Sequence, residues 1–424
     1  MSGRKLVSGR KLGALGAVSA QFSQAAGSFL LQVLTLRFLG VEGLGRFAMA
    51  YGVILIVTSV VTGLTGDSLT VLDRSRPEVR AGLQTWLVAV AVVGGLAMGA
   101  IAAVGGWLSP AESAVFGLAG LLFVLEDALR RLLMASLRFW SLVVVDVCAL
   151  VFSVGVVVLV RAGGEVTLLA PLAGLALGQG VAGIVAVVLL PREERWLARG
   201  VRPDLAAVWR YGSWRALQQM LRPTMLAVIR VVVSVAVSLA AYGALEAARV
   251  YVAPAMLAVA GISSFFFASY ARDHARPLHE LRRRADTTVI GLALSASAVG
   301  LVATALVPVL GPLLVTGDDE LNRLAVLGWA AYAAGTATVT PYGSLAAVRG
   351  QQAAVLGFCA AESVLSVVAC AVLLALGMSP FAVPLVLAAL SVVGGCAMRN
   401  VLLREPQAAS GSPAPRDATV AAEA

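Results

Sequence analysis

Charge is what this sequence most lacks. Only 13% of its 424 residues are charged, against 59% hydrophobic residues and a mean hydropathy of +0.90. A soluble domain carries about 25% charged residues, so a soluble globular protein is excluded. Histidine is nearly absent: His274 and His279 share one charged loop, and no histidine-based metal or catalytic site is expected. Cysteine is scarce too. Cys148, Cys359, Cys370 and Cys396 lie in apolar runs without a C-x-x-C pattern, as small packing residues do. The runs do not alternate apolar with polar, which excludes an outer-membrane barrel. Only Lys5 and Lys11 among the 32 basic residues are lysine, and with abundant Ala, Gly and Val this is the composition of a GC-rich bacterial genome.

What is present is a series of long apolar runs. A bilayer-spanning helix takes roughly 20 apolar residues. Twelve such spans can be placed, at 13–36, 47–72, 84–107, 114–136, 139–160, 167–190, 213–239, 244–270, 287–315, 324–346, 354–376 and 381–403. The expected fold class is all-α, a polytopic membrane protein of about 12 transmembrane helices in two six-helix bundles. The bundles cover 1–200 and 201–404, and a Pro-, Ala- and Ser-rich disordered cytoplasmic tail is expected at 405–424. Arg4, Lys5, Arg10 and Lys11 before Val18-Ser19-Ala20 imitate a signal peptide, yet the apolar run continues through Leu36, as in a retained first helix.

Basic residues divide unevenly between the two sides. Twenty-four fall on the side of the termini, and only Arg37, Arg46, Arg161 and Arg323 on the other. This bias places both termini in the cytoplasm of a cell-membrane protein and accounts for the +9 net charge without nucleic acid. The outer loops are short, and Asp318-Asp319-Glu320 is their sole acidic cluster. An enzyme is therefore not expected, nor is a cofactor or a bound metal.

The halves carry traces of a repeat. A shift of 198 aligns Gln21 with Gln219, Gly45 with Gly243, Ala50 with Ala248, Arg74 with Arg272 and Pro110 with Pro308. Later, a shift of 216 pairs Asp146 with Glu362. Six helices per half give both repeats the same orientation, related by an axis along the membrane normal.

Embedded charge is the most informative feature, because an arginine at mid-span costs at least ~2.5–3.5 kcal/mol and usually faces a cavity or a partner. Arg215, Arg222 and Arg230 lie in the seventh span with Gln219 near the same arc, Arg222 about 20° behind Arg215 and Arg230 about 60° ahead. Arg249 in the eighth span can pair with Glu246 three residues earlier. These guanidinium groups point to an anionic substrate held by phosphate or carboxylate. Arg222 and Arg230 are expected to face a water-filled cavity. Gln21, Gln24, Ser28 and Gln32 make one polar stripe along the first span, suited to cavity lining or to hydrogen bonds between helices. Glu126 and Asp127 precede Arg130 and Arg131 by four residues and read as structural ion pairs. Asp146 and Glu362 have no partner nearby in sequence. With Glu246, they are the candidate coupling carboxylates.

The segment Ala25–Tyr51, with Arg37, Leu39, Gly40, Gly45 and Phe47, resembles the opening of polysaccharide-export flippases. Tyr242-Gly243 before Glu246-Ala247-Ala248 is similar to its second-half counterpart, and Leu137-Arg138-Phe139 and Arg349-Gly350-Gln351 also fit. The resemblance is to the multidrug/oligosaccharidyl-lipid/polysaccharide (MOP) exporter superfamily, in its polysaccharide branch. It implies two MATE-like bundles rocking about a central cavity. It also implies a polyprenyl-pyrophosphate-linked glycan as cargo, with other polysaccharide-assembly membrane proteins as partners. Lipid II flippases of the superfamily typically have fourteen helices, so another glycolipid is expected here. Two alternatives stay open at this point, a multidrug transporter and a major-facilitator transporter of a small anionic or amphiphilic solute. Asp73-Arg74-Ser75-Arg76 partly imitates the facilitator loop signature.

Overall fold

The computed structural model describes residues 2–66, 68, 76–136, 138–195, 200–253, 277–315 and 320–404, and for 2–18 the backbone alone. The Gln21 side chain, Asp67, Asp73, His274, the outer acids at 318 and 319 and the segment 405–424 lie outside the described residues. Helix is the only extended secondary structure among them. In chain order the helices are α1 (Ser2–Val61), α2 (Pro77–Val104), α3 (Pro110–Ala135), α4 (Phe139–Gly163), α5 (Leu169–Leu189) and the short α6 (Arg192–Arg195). The second series is α7 (Leu205–Ala236), α8 (239–253), α9 (Leu278–Leu314), α10 (Arg323–Val348), α11 (Gln352–Ala375) and α12 (Val383–Val401).

Local sequence sets several of these boundaries. Ser109 and Glu112 form a reciprocal capping box with Pro110 at the first position of α3. Asp204 caps α7 through the Ala207 amide, and Asn322 accepts from the Leu324 and Ala325 amides at the start of α10. Helices α7 and α9 begin eight or nine residues before their predicted spans, so Arg282-Arg283-Arg284 is helical rather than part of a loop.

Helix α1 holds two predicted spans. They are divided at Gly40, whose φ of 69° and ψ of −172° leave the helical region and favour glycine. Arg131 donates to Thr62 at 2.7 Å, while its neighbour Arg130 meets Asp146, which accepts from Ser23. Residues 23 and 62 therefore share one end of the bundle, and the arms are antiparallel. The second arm passes into a π-helical turn at Thr62–Gly66, and residues 69–72 of the predicted span lie outside the described residues.

Eight helices among the described residues are long and apolar enough to cross a membrane, α1 counting once although its Phe22–Gly66 stretch holds both arms. Helix α3 is not among them, with Glu126, Asp127, Arg130 and Arg131 near its end. Its charges are paired inside the protein, which is how a polar helix can reside at that depth. Side chains such as Val104, Leu159 and Val235, all more than 70% exposed, form the apolar outer face.

The helices form two six-span bundles. Helices α2 to α5 pack on one another with α1, and α7 packs with α9 to α12 through α11. The second arm of α1 runs antiparallel to α7 and joins the halves. Gly63 approaches the backbone of Ala216, and Gly212 that of Leu64, so closely that a Cβ at either would overlap it. Farther along, a Cβ on Gly45 would stand 3.3 Å from the Gly243 Cα. Small residues permit such approach where lipid supplies no hydrophobic drive between helices. Gly45 and Gly243 are also repeat mates, so equivalent positions of the two halves touch. A core of Leu36, Leu44 and Ala48 with Met225, Ile229 and Trp329 spans the same seam.

Candidate functional site

Polar side chains collect in three places. The first is inside the N-terminal half, where Arg130 Nε lies 2.9 Å from Asp146 Oδ1 and 3.6 Å from Glu126 Oε1. Arg130 Nη2 donates to Asp146 Oδ2 at 3.3 Å, and the Ser23 hydroxyl donates to the same oxygen at 2.7 Å. All three ionisable side chains are buried. Gln24, Ser28, Tyr51 and Gln179 line the same cavity of about 50 Å³. One water takes roughly 10–15 Å³ on this scale, so the space admits a few waters and no sugar or pyrophosphate. Asp146 has no partner nearby in sequence, and its partner comes from the preceding helix. Arg130, read from sequence as half of a local pair with Glu126, reaches across to α4 and holds both acids.

The second place is the seam. Glu246 is buried and accepts from Tyr242 at 3.1 Å and from Arg249 Nε at 2.7 Å. Arg249 Nη2 also donates to the Gln32 amide oxygen at 3.0 Å, tying α8 to the first arm of α1. Arg230 donates to the Ala48 carbonyl at 3.1 Å and lies against Gly52, where any Cβ would collide with its guanidinium. Arg230 is buried, contrary to the expectation of a watery surround. The reason is angular: about 80° separates it from Arg222 around α7, enough to turn it toward α1.

The third place is the inner face of the C-terminal half. Arg222 is exposed on α7, with its guanidinium turned onto Tyr332 of α10. Its Nε and Nη2 both donate to the Tyr332 hydroxyl, each at 3.2 Å, and its guanidinium carbon sits 5.4 Å from the centre of that ring. A neutral phenol orients the cation without cancelling its charge. Helix α11, which packs against α7, carries Glu362 and Cys359. Glu362 accepts from the Ser391 hydroxyl at 2.6 Å.

The arginine ladder is thus divided. Arg215 donates to Gln218 at 2.8 Å, Arg222 opens inward, Arg230 is locked in the seam, and Arg249 serves Glu246. Gln219 is half-buried. The stripe on the first arm divides as well, Gln24 and Ser28 into the cavity and Gln32 onto Arg249. Sequence reasoning missed Ser23, Tyr332 and Ser391, and named Tyr242 only as a motif residue. A tyrosine amid small and apolar residues, as at 332, was the available signal, because a buried hydroxyl needs a partner.

These two bundles, with internal polar sites and a glycine-lined seam, define a polytopic helical membrane protein. Solved structures identify the fold as that of MATE transporters. The chain is similar to an inward-facing multidrug resistance MATE family transporter of the MOP superfamily (13% identity, 91% of this chain and 96% of that chain, TM-score 0.60). An outward-facing structure with the same description matches equally well (11%, 91% and 93%, 0.61). A third match is a MOP superfamily transporter from Pyrococcus furiosus Vc1, described as having a binding pocket of reverse polarity (12%, 93% and 96%, 0.58). No protein-family model matches the chain, and no curated protein matches it. The major-facilitator alternative does not agree with this fold.

Proposed function

We propose that this protein is an alternating-access transporter that moves a lipid-linked oligosaccharide, or a related anionic glycolipid, across the cytoplasmic membrane. The observation that carries the reading is Arg222, a cation deep in a membrane-spanning helix, open to space and oriented by a neutral partner. In a low-dielectric region its charge would compensate the pyrophosphate of a polyprenyl-linked glycan while the tail stays in lipid. Arg215, Gln218 and Gln219 on the same helix supply further polar contacts toward the arginine-rich side. Likeness to both inward- and outward-facing structures supports alternating access. The pocket of reverse polarity described for the Pyrococcus protein supports a departure from multidrug export within this fold.

Asp146 and Glu362 are the coupling acids in this reading. Glu246, held by Arg249 and Tyr242, is a structural anchor. Both termini are assigned to the cytoplasm, so reporters fused after Gly105 and Thr316 are extracytoplasmic and one after Arg284 is cytoplasmic. No covalent chemistry is assigned to the protein. In liposomes it should move a labelled polyprenyl-linked glycan and return it chemically unchanged, and Arg222→Ala should abolish that movement at normal protein abundance. Recovery of a shortened or extended glycan would make it an enzyme. Wild-type movement in Arg222→Ala would remove the arginine from the mechanism. Export of amphiphilic drugs is the second reading, favoured by the multidrug descriptions of the neighbours. Drug movement without glycan movement would establish it.

A further inference from the structure

We infer that Arg37, Arg230 and Arg249 form a gate that shuts the outer end of the seam between the two halves. The inference rests on the alternating-access reading above, not on the cargo. Each of these arginines reaches from one half to the other. Arg37 of α1 donates to the Leu313 carbonyl of α9 at 2.8 Å, and Arg230 of α7 to the Ala48 carbonyl of α1 at 3.1 Å. Arg249 of α8 donates to the Gln32 amide oxygen of α1 at 3.0 Å. Gln32 is about 12 Å along the helix from Gly40, and Arg230 about 9 Å from the end of α7, so the ties lie toward the outer face.

A charged donor makes each tie stronger than a neutral pair. The acceptors are two backbone carbonyls and an amide, so each tie opens without pulling unlike charges apart. They are also held in place. Gln32 Nε2 donates to the Ser28 carbonyl at 3.0 Å, which turns its oxygen toward Arg249. Leu313 lies in the last turn of α9, where carbonyls lack an intrahelical partner. Gly52 makes room for the Arg230 guanidinium, which a Cβ there would overlap. Arg249 keeps Glu246 of its own half at 2.7 Å, so releasing Gln32 strands no charge.

The repeat sets two of the ties opposite each other. The shift of 198 that aligns Gly45 with Gly243 carries Gln32 onto Arg230. The first span of each half is therefore tied, at the same position, to the second span of the other, Gln32 to Arg249 and Arg230 to Ala48. Gly45 and Gly243 meet backbone to backbone nearer the outer end. Equivalent ties on both edges close the seam as a single one could not.

The test measures access from outside. The full chain carries Met225→Cys together with Cys148→Ala, Cys359→Ala, Cys370→Ala and Cys396→Ala. Met225 is buried in the core that spans the seam, on the inner side of Arg230. The introduced thiol is modified with membrane-impermeant sulfonatoethyl methanethiosulfonate in sealed right-side-out and inside-out vesicles. Gln32→Leu and Gly52→Ala each break one tie and keep every charge. Arg37→Gln breaks the third, and its lost cation by itself would slow this anionic reagent. Each of the three should raise the right-side-out rate about tenfold, the effect of losing one charge-assisted hydrogen bond on the open fraction. The inside-out rate should not rise, which separates gating from a loosened fold. Two of the three variants at the parental rate, a rise from both faces alike, or a rise confined to inside-out vesicles would overturn the inference. So would a thiol that reacts rapidly from outside before any tie is broken. A rate that follows the ties without glycan movement in liposomes would leave the gate and remove the flippase reading. Glycan movement with an unresponsive rate would do the reverse.

Discussion

The two halves use the same positions for opposite ends. In each, the fifth helix of the repeat carries a carboxylate, but Asp146 accepts from Ser23 of the first helix and Glu362 from Ser391 of the last. The N-terminal carboxylate is enclosed with a second acid, Glu126, around one buried arginine. The C-terminal one is held by a serine hydroxyl, and the arginine of that half, Arg222, is open and held by a neutral ring. Burial decides what each can do. An enclosed ion cluster satisfies itself and stabilises one arrangement, because removing any member strands a charge away from water. An open guanidinium with a neutral partner retains charge to offer a ligand.

Breaking the enclosed cluster should have the largest effect. Arg130→Ala leaves Asp146 and Glu126 buried without a cation and should cost about 3–5 kcal/mol, read as a lowered melting temperature of the purified protein. Arg222→Ala should shift that temperature less, by about 1–2 kcal/mol, because the arginine itself is exposed and the loss is that of a partner for the buried Tyr332 hydroxyl. Equal losses in the two variants would dissolve the comparison.

Arg230 should behave like Arg130 rather than like its neighbour on α7. Arg230→Ala empties the space beside Gly52 and withdraws a cation near Glu246, at a cost of about 2–4 kcal/mol. Its abundance in the membrane should fall and recover in part with Glu246→Gln. Full abundance with lost transport would instead return Arg230 to the substrate path.

A transplant tests the correspondence itself. Gln24 lines the cavity that holds Asp146, at the position equivalent to Arg222. Gln24→Arg added to Arg130→Gln should restore about 1–2 kcal/mol of the lost stability by supplying the cation from the other helix. No recovery would mean that residues 24 and 146 are not placed as their repeat mates are. The smallest effect belongs to the seam's edge, where Trp86 stacks on Trp209 at 5.2 Å and donates to the Leu205 carbonyl. Trp86→Phe keeps the stack and loses one hydrogen bond, so the melting shift should correspond to less than about 1 kcal/mol.

Sequence alone determined the membrane class, twelve spans and the two-part architecture, because apolar run length is a local property that lipid reads directly. It also located the special residues, since an arginine within an apolar run is conspicuous wherever it later points. The pairing of Glu246 with Arg249 and of Asp127 with Arg131 followed from helical spacing and is present. What each other charge meets was decided only by tertiary packing. Arg130 has a carboxylate four residues away and also takes one sixteen residues away on the next helix. Arg222 and Arg230 look alike in sequence, and an 80° turn around one helix leaves the first open and buries the second against Gly52. Helical periodicity gives the angle between two side chains. Only the neighbouring helices fix whether that angle faces a carboxylate, a backbone carbonyl or open space.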